Sequence, residues 1–236
     1  MGSACKAAVE NGICSLVIGH AHTCTSLGYF TEQIAQQNLI GIGFTNASPI
    51  VAPPGGKSRI IGTNPIAFSV PDGAGNTAIH FDQSTTAVAL GKITMAKAAG
   101  EKIPLGWALD KSGNATTDPE AALEGSLVSS GGYKGWGFGL MAEVLAAGLA
   151  GGLASQFVQP LKATNGEPHN LGQYYIVIDP NNSNSFEVFL KDLKASVSKD
   201  VGTRLPGQGK VAAKNVEVPD DLLALLEKLS GYRLND

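Results

Sequence analysis

Residues 4–44 read ACKAAVENGICSLVIGHAHTCTSLGYFTEQIAQQNLIGIGF, and the order of elements in this stretch decides the fold class. Ala4 to Glu10 is helical in composition, and Asn11-Gly12 supplies its C-cap, because glycine enters the left-handed region without a Cβ clash. Cys14 to Ile18 is a short apolar run between turn signals and reads as a buried strand. Gly19 to Thr25 follows as a polar loop holding His20 and His22. Ser26 can N-cap a helix running through Phe30, Ile34 and Ala35 to about Asn38. Leu39 to Phe44 reads as a second buried strand. Helix, strand, loop, helix and strand in this order place the chain in the α/β class.

Downstream, Thr45 to Thr63 is rich in Pro, Gly, Asn and Ser and is long for a connection, a feature of functional loops. Asn64 to Val70 and Thr77 to Phe81 read as strands around the turn Asp72-Gly73. Thr85 to Ala99 reads as a helix, Trp107 to Leu109 as a short strand and Asp110 to Gly113 as a turn. Thr117-Asp118-Pro119 opens another helix with proline at its first position. Ser129 to Gly132 is a glycine turn, after which Lys134 leads into a helix ending near Gly151. Phe157 to Gly172 is a polar crossover, and Tyr174 to Ile178 is a strand ended by Asp179-Pro180. Phe186 to Ser198 places Phe186, Phe189, Leu190, Leu193 and Val197 on one helix face. Thr203 to Lys210 is a loop, and Pro219 starts a final helix carrying Leu222, Leu223, Leu226 and Leu229.

With 43% apolar and 16% charged residues the chain can bury a core and is not disordered. The net charge of -3 and the absence of any Lys/Arg run argue against nucleic acid and membrane-surface partners. The longest apolar stretch, Leu140 to Leu153, contains Glu143 and several glycines, is too short to span a bilayer, and reads as a buried helix. Cys5, Cys14 and Cys24 are an odd, clustered set that fits a reducing, cytoplasmic compartment and matches no zinc spacing.

Four segments carry side chains capable of chemistry. His20-Ala21-His22 follows a strand, where α/β sheets place ligands, and imidazole is the natural acid or base near neutral pH; the plainer account is two loop histidines bonded to backbone. His80-Phe81-Asp82-Gln83-Ser84-Thr85 runs from a strand end into a helix start suited to phosphate or carboxylate oxygens, yet Asp, Ser and Thr are equally ordinary N-caps. Gly131-Gly132-Tyr133-Lys134-Gly135 can present a lysine to an anion, although most such lysines are solvated, and the pattern is not a Walker loop. Arg204-Leu205-Pro206-Gly207-Gln208 is either a phosphate clamp or an exposed loop. No G-x-G-x-x-G or G-x-S-x-G pattern is present, so these residues alone reach an α/β chain with glycine-lined polar loops and not a reaction.

Taken in order, His20-Ala21-His22, Val51-Ala52-Pro53-Pro54-Gly55-Gly56, Gly62-Thr63-Asn64-Pro65-Ile66-Ala67-Phe68, Phe81-Asp82-Gln83-Ser84-Thr85, Thr117-Asp118-Pro119, Gly131-Gly132-Tyr133-Lys134-Gly135 and Leu205-Pro206-Gly207 resemble the malate/L-lactate dehydrogenase family, which lacks a Rossmann fold. Its members include ureidoglycolate and sulfolactate dehydrogenases and reductases of piperideine- or pyrroline-2-carboxylate. The resemblance implies an α/β fold with a non-Rossmann mixed sheet and flanking helices. It implies NAD or NADP as cofactor and a small anionic 2-oxo, 2-hydroxy or 2-imino acid as substrate, and Asp82-Gln83-Ser84, in place of the family's commoner Asp-Met-Ala, leans towards the imino acids. A homodimer is implied as well.

Carried over by position, His22 resembles the proton donor or acceptor, and Asp82 the carboxylate of its relay. His20, Ser48, Asp82, Gln83, Ser84, Lys134, Gly207, Gln208 and Gly209 would contact the cofactor, with the last three closing over it. His80 and Phe81 would lie near the substrate. The chain departs from the pattern at Ile18-Gly19, where Asn or Ser is usual before the histidine pair, and at Ala47 to Pro49, where only Ser48 offers a hydroxyl. Family members also begin with a helical segment carrying a substrate-gripping Ser-His pair and Arg, which has no counterpart after Met1. The expectation is therefore a truncated chain. Residues 1–210 would form a cofactor-binding α/β domain and 211–236 a helical segment that packs on the absent helices. The alternative function is a catalytically incompetent fragment that folds, dimerises and binds dinucleotide.

Overall fold

The computed structural model describes residues 1–160, 166–183, 185–209, 215 and 217–231. Lys210, the end of one expected loop, and most of 210–216 and 232–236, part of the expected C-terminal segment, lie outside the described residues. The chain runs α1 (Gly2–Asn11), β1 (Ile13–Ala21), α2 (Leu27–Ala35), β2 (Ile40–Thr45), β3 (Ile66–Pro71), β4 (Thr77–Gln83), α3 (Leu90–Ala99), β5 (Ala108–Leu109), β6 (Ala115–Thr116), α4 (Pro119–Glu124), β7 (Ser126–Leu127), α5 (Tyr133–Ala142), β8 (Leu171–Ile178), α6 (Phe186–Val197) and α7 (Asp220–Ser230). A π-helical turn, Glu143–Gly148, continues α5.

Five strands form the main sheet in the order β1-β8-β2-β3-β4, and β6-β5-β7 form a small second sheet. The α/β, non-Rossmann class agrees with expectation, but the expected mixed sheet is antiparallel at every ladder. Strand direction depends on which strands become neighbours, and β8 inserts between β1 and β2 from 150 residues downstream in sequence (His20 meets Asn170, for instance).

Helices cover both faces of the main sheet. On one face, Ala4, Cys5 and Ala8 of α1 and Ile34 of α2 pack with Leu39 and Val177. On the other, Ala142 and Ala146 pack with Phe44 and, around them, Ile42, Ile66, Tyr174 and Ile176. The small sheet has its own core, in which Val51, Ile61, Ile93, Ile103, Ala108 and Leu127 are buried.

Several local expectations are corrected. β1 is not buried: it is the sheet edge, so Ile13 and Val17 are exposed although the apolar run looks like a core strand. His20 and Ala21 belong to that strand rather than to a loop. The helix expected from Thr85 begins only at Leu90, because Thr85 and Thr86 first bond back to Thr63 and bridge to Ser129. The α5 region buries only its small residues, Gly135, Gly139, Ala142, Ala146 and Ala147, and leaves Phe138 and Val144 exposed. The glycines are required by close approach: a Cβ on Gly172 of β8 would strike the carbonyl oxygen of Ala146. Helix α6 has the expected apolar face, but none of its residues is buried.

Candidate functional site at one end of the main sheet

The registers bring the polar segments to one end of the sheet. Ala21 of β1 pairs with Leu171 of β8, Thr45 of β2 with Gln173, Phe44 with Ile66 of β3, and Ile66 with Gln83 of β4. His20 and His22, His169 and Asn170, Asn46 to Ser48, Asn64, and Asp82 to Ser84 therefore border the same edge. Lys134 joins them because the Ser130 N–H donates to the Thr85 carbonyl at 2.9 Å, and Gly135 packs against the Ser130 and Thr85 backbones.

The two histidines of the first segment find partners that no local pattern foretold. His20 takes a backbone φ of 54° and its Nδ1 donates to Asn170 Oδ1 at 3.0 Å. His22 Nε2 lies 3.0 Å from His169 Nδ1, with the rings edge to face at 84° and centroids 4.7 Å apart. His169 Nε2 in turn donates to the carbonyl oxygens of Gln159 at 3.0 Å and Pro160 at 3.3 Å. Sequence reading missed His169 and Asn170 inside the polar crossover; the one signal for them is an imidazole and a carboxamide directly before the apolar run that starts at Leu171.

Asp82 does not reach His22 as the expected relay; it caps α2 instead. Its Oδ2 accepts from the Gly28 N–H at 2.8 Å and, more weakly, from Ser26 Oγ at 3.5 Å. A helix N-terminus leaves N–H groups unpaired, and a carboxylate is a strong acceptor for them. Ser26 makes no cap bond of its own. Two residues away on the same face, His80 Nδ1 bonds Ser69 Oγ at 2.8 Å, Ser69 Oγ donates to Thr31 Oγ1 at 2.8 Å, and Thr31 Oγ1 donates to the Gly28 carbonyl at 3.1 Å. The chain of hydroxyls has one direction, so His80 carries its proton on Nδ1 and presents Nε2 as an acceptor. Ser69 and Thr31 are fully buried polar side chains at apolar positions of their elements, and nothing in the sequence marks them.

Phe81 does not share the His80 surface. Strand side chains alternate between faces, so Phe81 packs on Phe68, centroids 5.6 Å apart, on the opposite side of the sheet. For the same reason Asp82 and Gln83 diverge. Pro206 and Gly207 dock on the β4 edge, where the His80 N–H donates to the Pro206 carbonyl at 2.9 Å. Gly207 has a φ of 88° and leaves no room for a Cβ, which would lie 2.9 Å from His80 Cβ. Gln208 turns its carboxamide oxygen back on Leu205 N at 2.9 Å, and Gly209 has a φ of 73°.

Lys134 is exposed in the first turn of α5, and it makes no ion pair among the described residues. Gly131 and Gly132 before it have positive φ and open space around them. Ser84 Oγ bonds Thr86 Oγ1 at 2.8 Å. Ser48 is half-buried beyond β2. Its neighbour Asn46 is buried and binds the Leu153 carbonyl at 2.9 Å and the Gly172 N–H at 3.0 Å, which ties the Leu153 loop to the site edge. Asn64 Nδ2 and Ser155 N donate to the Glu143 carboxylate at 2.7 and 2.6 Å and anchor the π turn. Burial, with a smaller contribution from the Asp82 carboxylate, raises the Cys24 thiol above its ordinary value, so it stays protonated and is no nucleophile.

This set of loops around an antiparallel sheet can be compared with known proteins. Residues 1–216 match the model of the malate/L-lactate dehydrogenase family. The chain belongs to that family. The (2R)-3-sulfolactate dehydrogenase (NADP(+)) of Chromohalobacter salexigens is 37% identical over 236 residues, covering 96% of this chain and 68% of that protein. The ureidoglycolate dehydrogenase (NAD(+)) of Escherichia coli K12 is 34% identical over 241 residues, covering 96% and 68%. The solved structure of delta1-piperideine-2-carboxylate reductase from Pseudomonas syringae pvar. tomato is 31% identical with a TM-score of 0.81, covering 95% and 70%. The family therefore spans 2-hydroxy acids and cyclic imino acids and both nicotinamide cofactors, on one fold.

Proposed function

We propose that this chain is an NAD(P)-dependent oxidoreductase that moves a hydride to or from a small anionic 2-oxo/2-hydroxy acid or cyclic 2-imino acid, with His22 as proton donor or acceptor. The family match over residues 1–216 carries the class of reaction. The exposed His22 imidazole, at the sheet end where the other polar segments meet, supports its role. The residues fit a dinucleotide. Lys134 supplies a cation with no ion pair among the described residues, Gly132 leaves the first N–H groups of α5 without a side-chain cap, and both suit an anionic diphosphate. His20, Ser48, Gln83, Ser84 and Gly207 to Gly209 border the same edge or dock on β4 beside it. When bound, the nicotinamide supplies or accepts the hydride. The chain's own residues hold the cofactor and handle the proton on the substrate oxygen or nitrogen. Asp82 contributes by fixing the start of α2, and with it the loop that carries His22. His80 Nε2 offers the substrate an acceptor.

Residues 1–210 form the cofactor-binding unit in this reading, and 211–236 a helical segment whose leucines pack on helices supplied from outside the described residues. Leu222, Leu226 and Leu229 of α7 are exposed, which supports that packing and a homodimer. Among the described residues no helix is long and apolar enough to cross a membrane. A cytoplasmic location agrees with three unpaired cysteines.

A panel of 2-oxo acids and cyclic imines, run with NADH and NADPH, tests the proposal. His22→Ala lowers turnover about 10²- to 10⁴-fold, the usual worth of a positioned proton donor, and leaves cofactor affinity unchanged. Lys134→Ala weakens cofactor binding about 10-fold, the loss of one charge-assisted contact. Cofactor binding with no turnover on any substrate favours the second reading, a fragment that binds dinucleotide alone.

A further inference from the structure

We propose that His169 is the positioning residue of His22: it takes the place expected of Asp82 and fixes which nitrogen of His22 faces the substrate. The inference rests on the reading of His22 as the proton-handling group. Carbonyl oxygens only accept hydrogen bonds, and His169 Nε2 faces two of them, at 3.0 and 3.3 Å. That nitrogen therefore carries a proton. A neutral His169 then has a bare lone pair on Nδ1, and this lone pair is directed at His22 Nε2 at 3.0 Å. His22 Nε2 must bear a hydrogen and donate it. Nδ1 is left as the atom of His22 that takes up or releases a proton at the substrate.

Three neighbouring groups that could compete for His22 are otherwise accounted for. Asp82 is bonded to the α2 N-terminus, Cys24 stays a protonated thiol, and His20 is bonded to Asn170. The edge-to-face stacking of the two rings holds the arrangement in orientation as well as in distance. When His22 takes a proton on Nδ1, its Nε2–H still donates to His169, and the two carbonyls support the pair behind it. An imidazole thus does what a carboxylate does in a histidine–carboxylate relay: it orients the ring and selects the tautomer.

The chain has four histidines, so ring nitrogens can be assigned by single substitutions. Long-range proton–nitrogen correlation spectra of the full chain should show neutral His22 and neutral His169 both protonated at Nε2. In His169→Ala the His22 nitrogens should move towards averaged tautomers, and turnover should fall about 10- to 100-fold with cofactor affinity unchanged. His169→Asn places a carboxamide oxygen where Nδ1 stood and should restore both readouts. His22 nitrogen resonances that do not move in His169→Ala would overturn the proposal. Full turnover in His22→Ala would instead remove His22 from the chemistry, while the nitrogen resonances would still decide the pairing.

Discussion

At the scale of single residues, direction in hydrogen bonding determines chemistry. The Ser69–Thr31–Gly28 chain ends on a carbonyl, so every proton in it points one way and His80 is held as the Nδ1–H tautomer. Ser69→Ala removes the middle of the chain and leaves Thr31 and His80 each short of a partner. Because Ser69 is fully buried, the expected cost is about 1–3 kcal/mol of stability, read from denaturant midpoints. An unchanged midpoint would mean that water or a rotated Thr31 replaces the lost hydroxyl. This chain and the His22–His169 pair were each half legible: His80 and His22 stood out as titratable side chains, whereas His169 lay unmarked in a polar crossover and Ser69 and Thr31 are ordinary hydroxyls at core positions.

At the scale of elements, turns and close contacts carry the fold. The β3–β4 and β5–β6 hairpins use one device twice. Asp72 accepts from the Ala74 and Asn76 N–H groups at 2.8 and 2.9 Å, and Asp110 from those of Ser112 and Asn114 at 2.8 and 2.9 Å. Burial works against the charge on Asp72, but its backbone bonds outweigh it; at Asp110 the bond from Asn114 leads, and both carboxyls lie below their ordinary value. A depressed folded-state value means that the stabilisation is complete above the ordinary carboxylate range and is lost as pH falls through the folded value. Amide exchange at Ala74, Asn76, Ser112 and Asn114 should therefore quicken selectively on acidification, beyond the intrinsic pH trend. Equal protection of these amides at acidic and neutral pH would count against the device. The Gly172 contact is stricter, since backbone meets backbone and no rotamer change relieves it. Gly172→Ala should destabilise by about 1–3 kcal/mol or more in urea unfolding. The Ser129 to Gly132 glycine turn was visible in the sequence; that Gly172 faces the Ala146 backbone was not.

At the scale of the whole molecule, α5 with its π-helical turn, α6 and α7 leave Phe138, Val144, Phe189, Leu226 and Leu229 exposed. Isolated apolar residues are normal on a surface, but three helices with apolar outer faces call for a cover. Sedimentation of the chain at micromolar concentration should therefore show species larger than one chain, and a uniform monomer would remove the homodimer from the proposal. The sequence by itself determined the α/β class, the places of most strands and helices, the family, and which loops hold titratable or glycine-rich motifs. These follow from local periodicity, turn chemistry and an ordered set of short motifs. Only the tertiary structure decided that the sheet is antiparallel, that β1 is an edge, that Asp82 caps α2, and that His22 pairs with a histidine 147 residues away. Local periodicity sets which way a side chain faces on its own element. The insertion of β8 between β1 and β2 sets what it meets there, and that pairing is a long-range choice made by the fold as a whole.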